Sequence, residues 1–146
     1  MVVEKPAGLL SVATDKLEKD TLHSRCVDHV KRQSERAWSH IVHRLDRDTS
    51  GIMVFAKSQE MKENLQTQFA QRDVERIYHA LVEGSPEHSE GTDSSWLVED
   101  KHLHVKRVKS TFKGSKQSIT HWRIEDQDEF VSLIEINIET GRRHQI

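Results

Sequence analysis

A chain of 146 residues with 34% hydrophobic content has material for one modest core and not for two, which implies a single domain, 1–146. Its net charge of −2 and pI near 6.5 exclude a generally basic nucleic-acid binder, whose footprint is a domain pI above ~9. No stretch approaches the ~20 apolar residues that span a bilayer, and Met1-Val2-Val3-Glu4-Lys5-Pro6 lacks a signal-peptide core, so the expectation is a soluble cytoplasmic protein without a membrane partner. Cys26, the only cysteine, has no partner for a disulfide and is expected to pack in a helix. Of ten histidines, only His40 with His43 and His102 with His104 fall close together, with no third ligand at an obvious spacing, so no metal is expected.

In chain order, Val2-Val3 running into Lys5-Pro6-Ala7-Gly8 predicts a strand that enters a turn. From Thr21 to about Arg36 there is no Gly or Pro, and Leu22, Cys26 and Val30 recur every four residues, which predicts a helix with one apolar face. Ile52-Met53-Val54-Phe55-Ala56, preceded by Gly51, predicts a buried strand. Ser58 then caps a helix in which Met61, Leu65 and Phe69 share a face, and Arg72-Asp73 ends it. Ile77 to Val82 is the next strand, stopped by Gly84-Ser85-Pro86.

Glu83 to Asp100 holds six acids and no Lys or Arg, whereas Lys101 to Lys116 holds six bases and no acid. The basic stripe suits phosphate contact and suits the solvated flank of a hairpin equally well. A late hairpin is expected from Ser118–Ile124 and Phe130–Ile138, with Glu125 to Glu129 as its loop. Two isolated helices among several strands point to an α+β domain: a mixed, mostly antiparallel sheet flanked by helices.

The densest polar run is His43-Arg44-Leu45-Asp46-Arg47-Asp48-Thr49-Ser50-Gly51, between apolar Ile41-Val42 and the strand at 52–56. Local chemistry favours a turn here, with Asp48 accepting backbone N–H bonds and Gly51 allowing close chain approach. The chemical alternative is that Asp46, beside cationic Arg44 or Arg47, is an ionised carboxylate available as a nucleophile. A glycoside hydrolase using Asp46 with Asp48 is disfavoured, because residues two apart in one loop are poorly placed to flank a sugar at the ~5 Å or more that such chemistry needs.

Three ordered segments resemble motifs of the RluA-type family of RNA pseudouridine synthases: Glu4-Lys5-Pro6-Ala7-Gly8-Leu9, then His43 to Gly51, then Thr140-Gly141-Arg142-Arg143-His144-Gln145-Ile146. A fourth, Arg76-Ile77-Tyr78-His79-Ala80-Leu81-Val82-Glu83-Gly84, is similar to the family's strand with an active-site tyrosine. The resemblance implies the pseudouridine synthase catalytic fold and the isomerisation of a uridine in ribosomal or transfer RNA, without metal or external cofactor. It implies Asp46 as the catalytic nucleophile, Arg44 as the arginine that fills the space left by the flipped base, and Tyr78 against the uracil. Lys5 is implied as a support or phosphate contact, and Arg142 and His144 as braces of the active-site loop or contacts to RNA backbone. A monomer is expected.

Members of that family continue beyond the point matching Ile146 with an arginine that pairs with the catalytic aspartate and with further strands. The chain is therefore expected to be a catalytic domain incomplete at its C-terminal end, with no room before the first motif for a small N-terminal RNA-binding domain. A catalytically inactive RNA-binding fragment is the alternative expectation.

Overall fold

The computed structural model describes residues 1–14, 16–101 and 104–146, so His102 lies outside the described residues. The chain falls into two compact units, Met1–Asp73 and Val74–Ile146. Every strand pairing among the described residues is antiparallel, and the class is α+β.

The first unit holds β1 (Val2–Lys5), α1 (Leu22–Lys31), β2 (His40–Ile41), β3 (Gly51–Ala56) and α2 (Gln59–Gln71), with sheet order β1-β3-β2. Thr21 starts α1 through a reciprocal cap: its hydroxyl accepts the Ser24 N–H at 3.1 Å, and the Ser24 hydroxyl accepts the Thr21 N–H at 3.0 Å. Leu22, Cys26, Val27 and Val30 are its buried face, and burial pushes the Cys26 thiol up, as suits a packing residue. The helix stops at Lys31 rather than near Arg36, because residues 31–36 are all exposed and offer no apolar position to continue the face.

The β3 run is apolar throughout but not buried throughout: Met53 and Phe55 are inaccessible, whereas Ile52 is 59% exposed. Central in the sheet, β3 is covered on one face only. Ser58 caps α2 by accepting the Met61 N–H at 3.2 Å, and Arg72 closes it in a left-handed conformation, φ 66°. No residue of α2 is fully buried, so its apolar face is a half-covered one.

The second unit is one sheet of β4 (Ile77–Glu83), β5 (Glu90–Glu99), β6 (Val105–Val108), β7 (Lys116–Gln127) and β8 (Val131–Ile138), in the order β4-β8-β7-β5-β6. Ile134, Ile136 and Ile138 are the core, with Tyr78, Ala80, Val82, Trp122 and Ile124 packed against them. The late hairpin has a longer first strand and a tighter loop than the sequence suggests, because the Asp128 carboxylate accepts the N–H groups of Phe130 and Val131 at 2.7 and 2.8 Å. A bulge between Ile124 and Asp126 absorbs the extra residue.

Strands β5 and β6 are absent from the sequence expectation. Glu90-Gly91-Thr92-Asp93-Ser94-Ser95 is poor in β-formers, and only pairing with β7 makes it a strand. Gly91 lies opposite Trp122, and a Cβ there would fall 2.7 Å from the indole Cζ2. The ring fills the space that the missing side chain leaves. Gly91→Ala should therefore lower unfolding stability by about 1–3 kcal/mol in urea titration, since the rigid indole must move; an unchanged midpoint would show that the ring relaxes freely.

Candidate active site and the loops that hold it

In the first unit β2 ends at Ile41, and the chain leaves the sheet one rung early. The His43 ring takes over, its Nε2 accepting the Val54 N–H at 3.1 Å while its face stacks on Phe69 at 4.7 Å. An accepting Nε2 leaves the ring proton on Nδ1. The loop from Arg44 to Ser50 then runs with only Leu45 fully buried.

Asp46 is half-buried, its carboxylate 30% exposed and 3.9 Å from the Arg44 guanidinium. The other arginine open to it goes elsewhere: Arg47 grips Asp48 with two bonds of 3.1 Å. That fork, with the charges of Arg47 and Lys5 adding, holds the Asp48 carboxyl below the usual carboxylate range. Asp48 is thus an ion-pair partner rather than the expected acceptor of turn N–H groups. The turn is closed instead by the Asp46 carbonyl, which accepts the Thr49 N–H at 3.3 Å.

Lys5 is wholly inaccessible. Its ammonium donates to the carbonyls of Pro6, Leu9 and Arg47 at 3.0, 2.7 and 2.8 Å, which uses all three hydrogens. Burial pushes its pKa below the ordinary lysine value, and the charges of Asp48 and Asp46 pull it back. Of the two roles left open for Lys5, this position fits support and leaves no hydrogen for a phosphate. The Arg47 carbonyl also accepts the Gly8 N–H at 2.9 Å, with Gly8 at φ +84°. Ser11, a residue the sequence reading passes over, meets Leu45 from the same first loop.

In the second unit the segment after β8 folds back along β7. Thr140 Oγ1 accepts the Ile119 N–H and donates to Gln145 Oε1, while Gln145 Nε2 donates to the Ile119 carbonyl, at 3.0, 2.9 and 3.0 Å. Arg76 donates to the carbonyls of Ile138 and Glu139 at 3.3 and 3.1 Å. Gly141 lets it approach, since a Cβ there would meet the Arg76 guanidinium at 2.7 Å. Arg142 is exposed, with its Nε on the Gln117 carbonyl at 3.0 Å, and His144 is exposed at φ 52°. Gln145 and Arg76 were missed as supports, although both lie within the quoted motifs. Tyr78 is half-buried on β4 opposite Ile136, against the isoleucine core.

The acidic and basic runs turn out to be partners in a hairpin: β5 pairs β6, and Arg107 forks onto Asp93 at 2.9 and 2.8 Å. That is the hairpin-flank reading of the stripe. Among the described residues, one group has metal-ligand character: His79, Glu125 and Glu135, whose ligand atoms lie within 4.8 Å of one another. Glu135 there already carries the Arg123 fork at 2.8 and 3.0 Å.

The structure thus collects Lys5, Arg44 and Asp46 around one loop of the first unit, and Tyr78, Arg142 and His144 within the second. The chain is thus an α+β protein with antiparallel sheets and a half-exposed aspartate on a braced loop. The family model described as RNA pseudouridylate synthase matches residues 1–146, and the chain belongs to that family. It is 37% identical over its full length to an uncharacterized RNA pseudouridine synthase of Zymomonas mobilis, covering 65% of that protein. It is 36% identical to ribosomal large subunit pseudouridine synthase D of Neisseria meningitidis serogroup B, again over its full length, covering 38% of that protein. Among solved structures, human RNA pseudouridylate synthase domain containing 4 superposes with a TM-score of 0.82 at 23% identity, over 99% of this chain and 57% of that one. The chain therefore spans between about a third and two thirds of the length of these relatives.

Lys5→Met keeps the length of the side chain and removes the donors. It should destabilise the folded protein by about 1–3 kcal/mol in thermal or urea unfolding, because the carbonyls of Pro6 and Leu9 lose their donor inside the protein. A variant as stable as the parent would mean that water reaches these groups.

Proposed function

We propose that this chain is the catalytic part of an enzyme that isomerises a uridine in ribosomal or transfer RNA to pseudouridine, with Asp46 as the nucleophile. The observation that carries this reading is the Asp46 carboxylate itself, partly open to solvent on a loop whose neighbouring carbonyls are held from inside. Family membership supports the reaction, and the Neisseria relative, named for the large ribosomal subunit, favours ribosomal RNA as the substrate.

The target uridine must leave its stack to be reached, at a cost of a few kcal/mol that is least in a loop or other unpaired segment. Asp46 then attacks the sugar at C1′ or removes a sugar proton to give a glycal. By either route the N1–C1′ bond breaks, the uracil turns, a C5–C1′ bond forms, C5 loses a proton and N1 gains one; on the first route the new bond displaces the Asp46 carboxylate from C1′, and on the second Asp46 returns its proton to C2′. Substrate and product are isomers, so the atoms balance without an oxidant or co-reactant.

Arg44, half exposed beside Asp46, suits the space that the base vacates. Tyr78 offers a ring face for the uracil and a hydroxyl for proton transfer. Arg142 and His144, exposed in the second motif loop, are the RNA-backbone contacts of this proposal, whereas Lys5 acts from beneath as a support. The protein is proposed to act in the cytoplasm as a monomer, without metal or external cofactor.

Asp46→Asn in the full-length protein should reduce turnover by on the order of 10³-fold or more, because a carboxamide serves neither as nucleophile nor as base. Pseudouridine maps of cellular RNA with and without this variant check it: one site should disappear, and an unchanged map would sink the assignment.

A further inference from the structure

Ser11 is 3% exposed and lies between Leu9-Leu10 and Val12, where a hydroxyl has no apolar reason to be. Its Oγ accepts the Leu45 N–H at 3.1 Å and donates to the Leu45 carbonyl at 2.5 Å, with the Met53 sulfur 3.3 Å away. Leu45 is 7% exposed, so neither of its backbone groups has ready access to water. One side chain thus satisfies both the donor and the acceptor of the residue before Asp46, as an adjacent strand would.

We infer that Ser11 is a positioning residue for Asp46, fixing the peptide plane on which the carboxylate stands. The Leu45 carbonyl belongs to the peptide unit that enters Asp46, so holding it together with the Leu45 N–H restrains ψ of Leu45 and with it the direction of the N–Cα bond from which the aspartate side chain stands. Downstream, the Asp46 carbonyl is held by Thr49 N–H and the Arg47 carbonyl by Lys5 and Gly8. Three consecutive carbonyls therefore have fixed donors, and the Ser11 bond is the one made by a single removable hydroxyl. Without it the segment from Leu45 to Asp46 can tilt, and misplacement of a reacting group by about 1 Å costs about 10²-fold in rate.

This rests on the proposed role of Asp46, so the test has one arm that does not need turnover. In the full-length protein, amide hydrogen exchange of Leu45, Asp46 and Thr49 is compared with that of Val30 and Phe55 in wild type, Ser11→Ala and Ser11→Thr. Ser11→Ala should speed exchange at the three loop amides by about 10-fold or more relative to the core pair, and Ser11→Thr, which keeps the hydroxyl, should reverse most of that. On the modified RNA, Ser11→Ala should lower kcat by about 10- to 10²-fold with KM within about 2-fold, again reversed by threonine. Loop and core exchange rising together, or a rate loss explained by the unfolded fraction, overturns the inference and leaves Ser11 a stabilising residue. A wild type that turns over no RNA overturns the proposed function, while the exchange arm still decides whether Ser11 fixes the loop.

Discussion

A lysine ammonium withdrawn from water at the end of β1 is the constraint that shapes the first unit. An unpaired charge there would cost several kcal/mol, and the cost is offset only when every hydrogen finds an acceptor. Lys5 meets that condition with carbonyls from Pro6, Leu9 and Arg47, two from its own loop and one from 42 residues away. The first loop must therefore curl around the ammonium, which Gly8 permits at φ +84°, and the loop of Asp46 must come to it. Two carboxylates, Asp48 and Asp46, share the neighbourhood and keep the buried charge favourable. The acids of this loop stabilise the cation that holds the loop in place.

The same device recurs wherever the motif segments leave regular structure. Where β2 stops, the His43 ring accepts the Val54 N–H that the next rung would have taken. In the second unit, Thr140 takes the Ile119 N–H at the end of the β7–β8 pairing, and Gln145 joins the Glu139 N–H on the Ile119 carbonyl. Ser11 does so for Leu45. A buried backbone group needs a partner, and in each of these places a polar side chain supplies it where a strand is missing. This accounts physically for a serine among leucines and for the threonine and glutamine of the last motif.

Legibility in the sequence followed the kind of force involved. Elements made by apolar periodicity or caps were readable: α1 from Leu22, Cys26 and Val30, α2 from Ser58 onward, and β4 and β8 from their alternation. Elements made by a neighbour were not. Strand β5 exists because β7 lies beside it and Trp122 fills the gap over Gly91, and neither is written within residues 90–95 themselves. The loop around Asp46 was readable as a polar run, and resemblance to a family singled out Asp46 within it. Its partners were only half readable: proximity in sequence allowed either Arg44 or Arg47, and the structure resolves this because Arg47 is committed to Asp48. Lys5 was legible as a motif residue but not as a buried one, because lysine is almost never fully buried and nothing local announces three inward carbonyls.

A strand could not have carried the polar run. Along a strand every second side chain points to the opposite face, so consecutive charges would alternate between solvent and core. The loop from Arg44 to Asp48 buries only Leu45 and presents Arg44, Asp46, Arg47 and Asp48 at or near the surface. Such a segment forgoes strand hydrogen bonds and must find others, and it finds them on its backbone rather than on its charged side chains: Ser11 at Leu45, Thr49 at Asp46, Lys5 and Gly8 at Arg47. Support directed at the backbone limits how far the Asp46 side chain can move, which is the preorganisation that its proposed role requires. It also explains why residues 5–11 and 43–51, far apart in the chain, belong together: the first supplies the donors without which the second has no fixed shape.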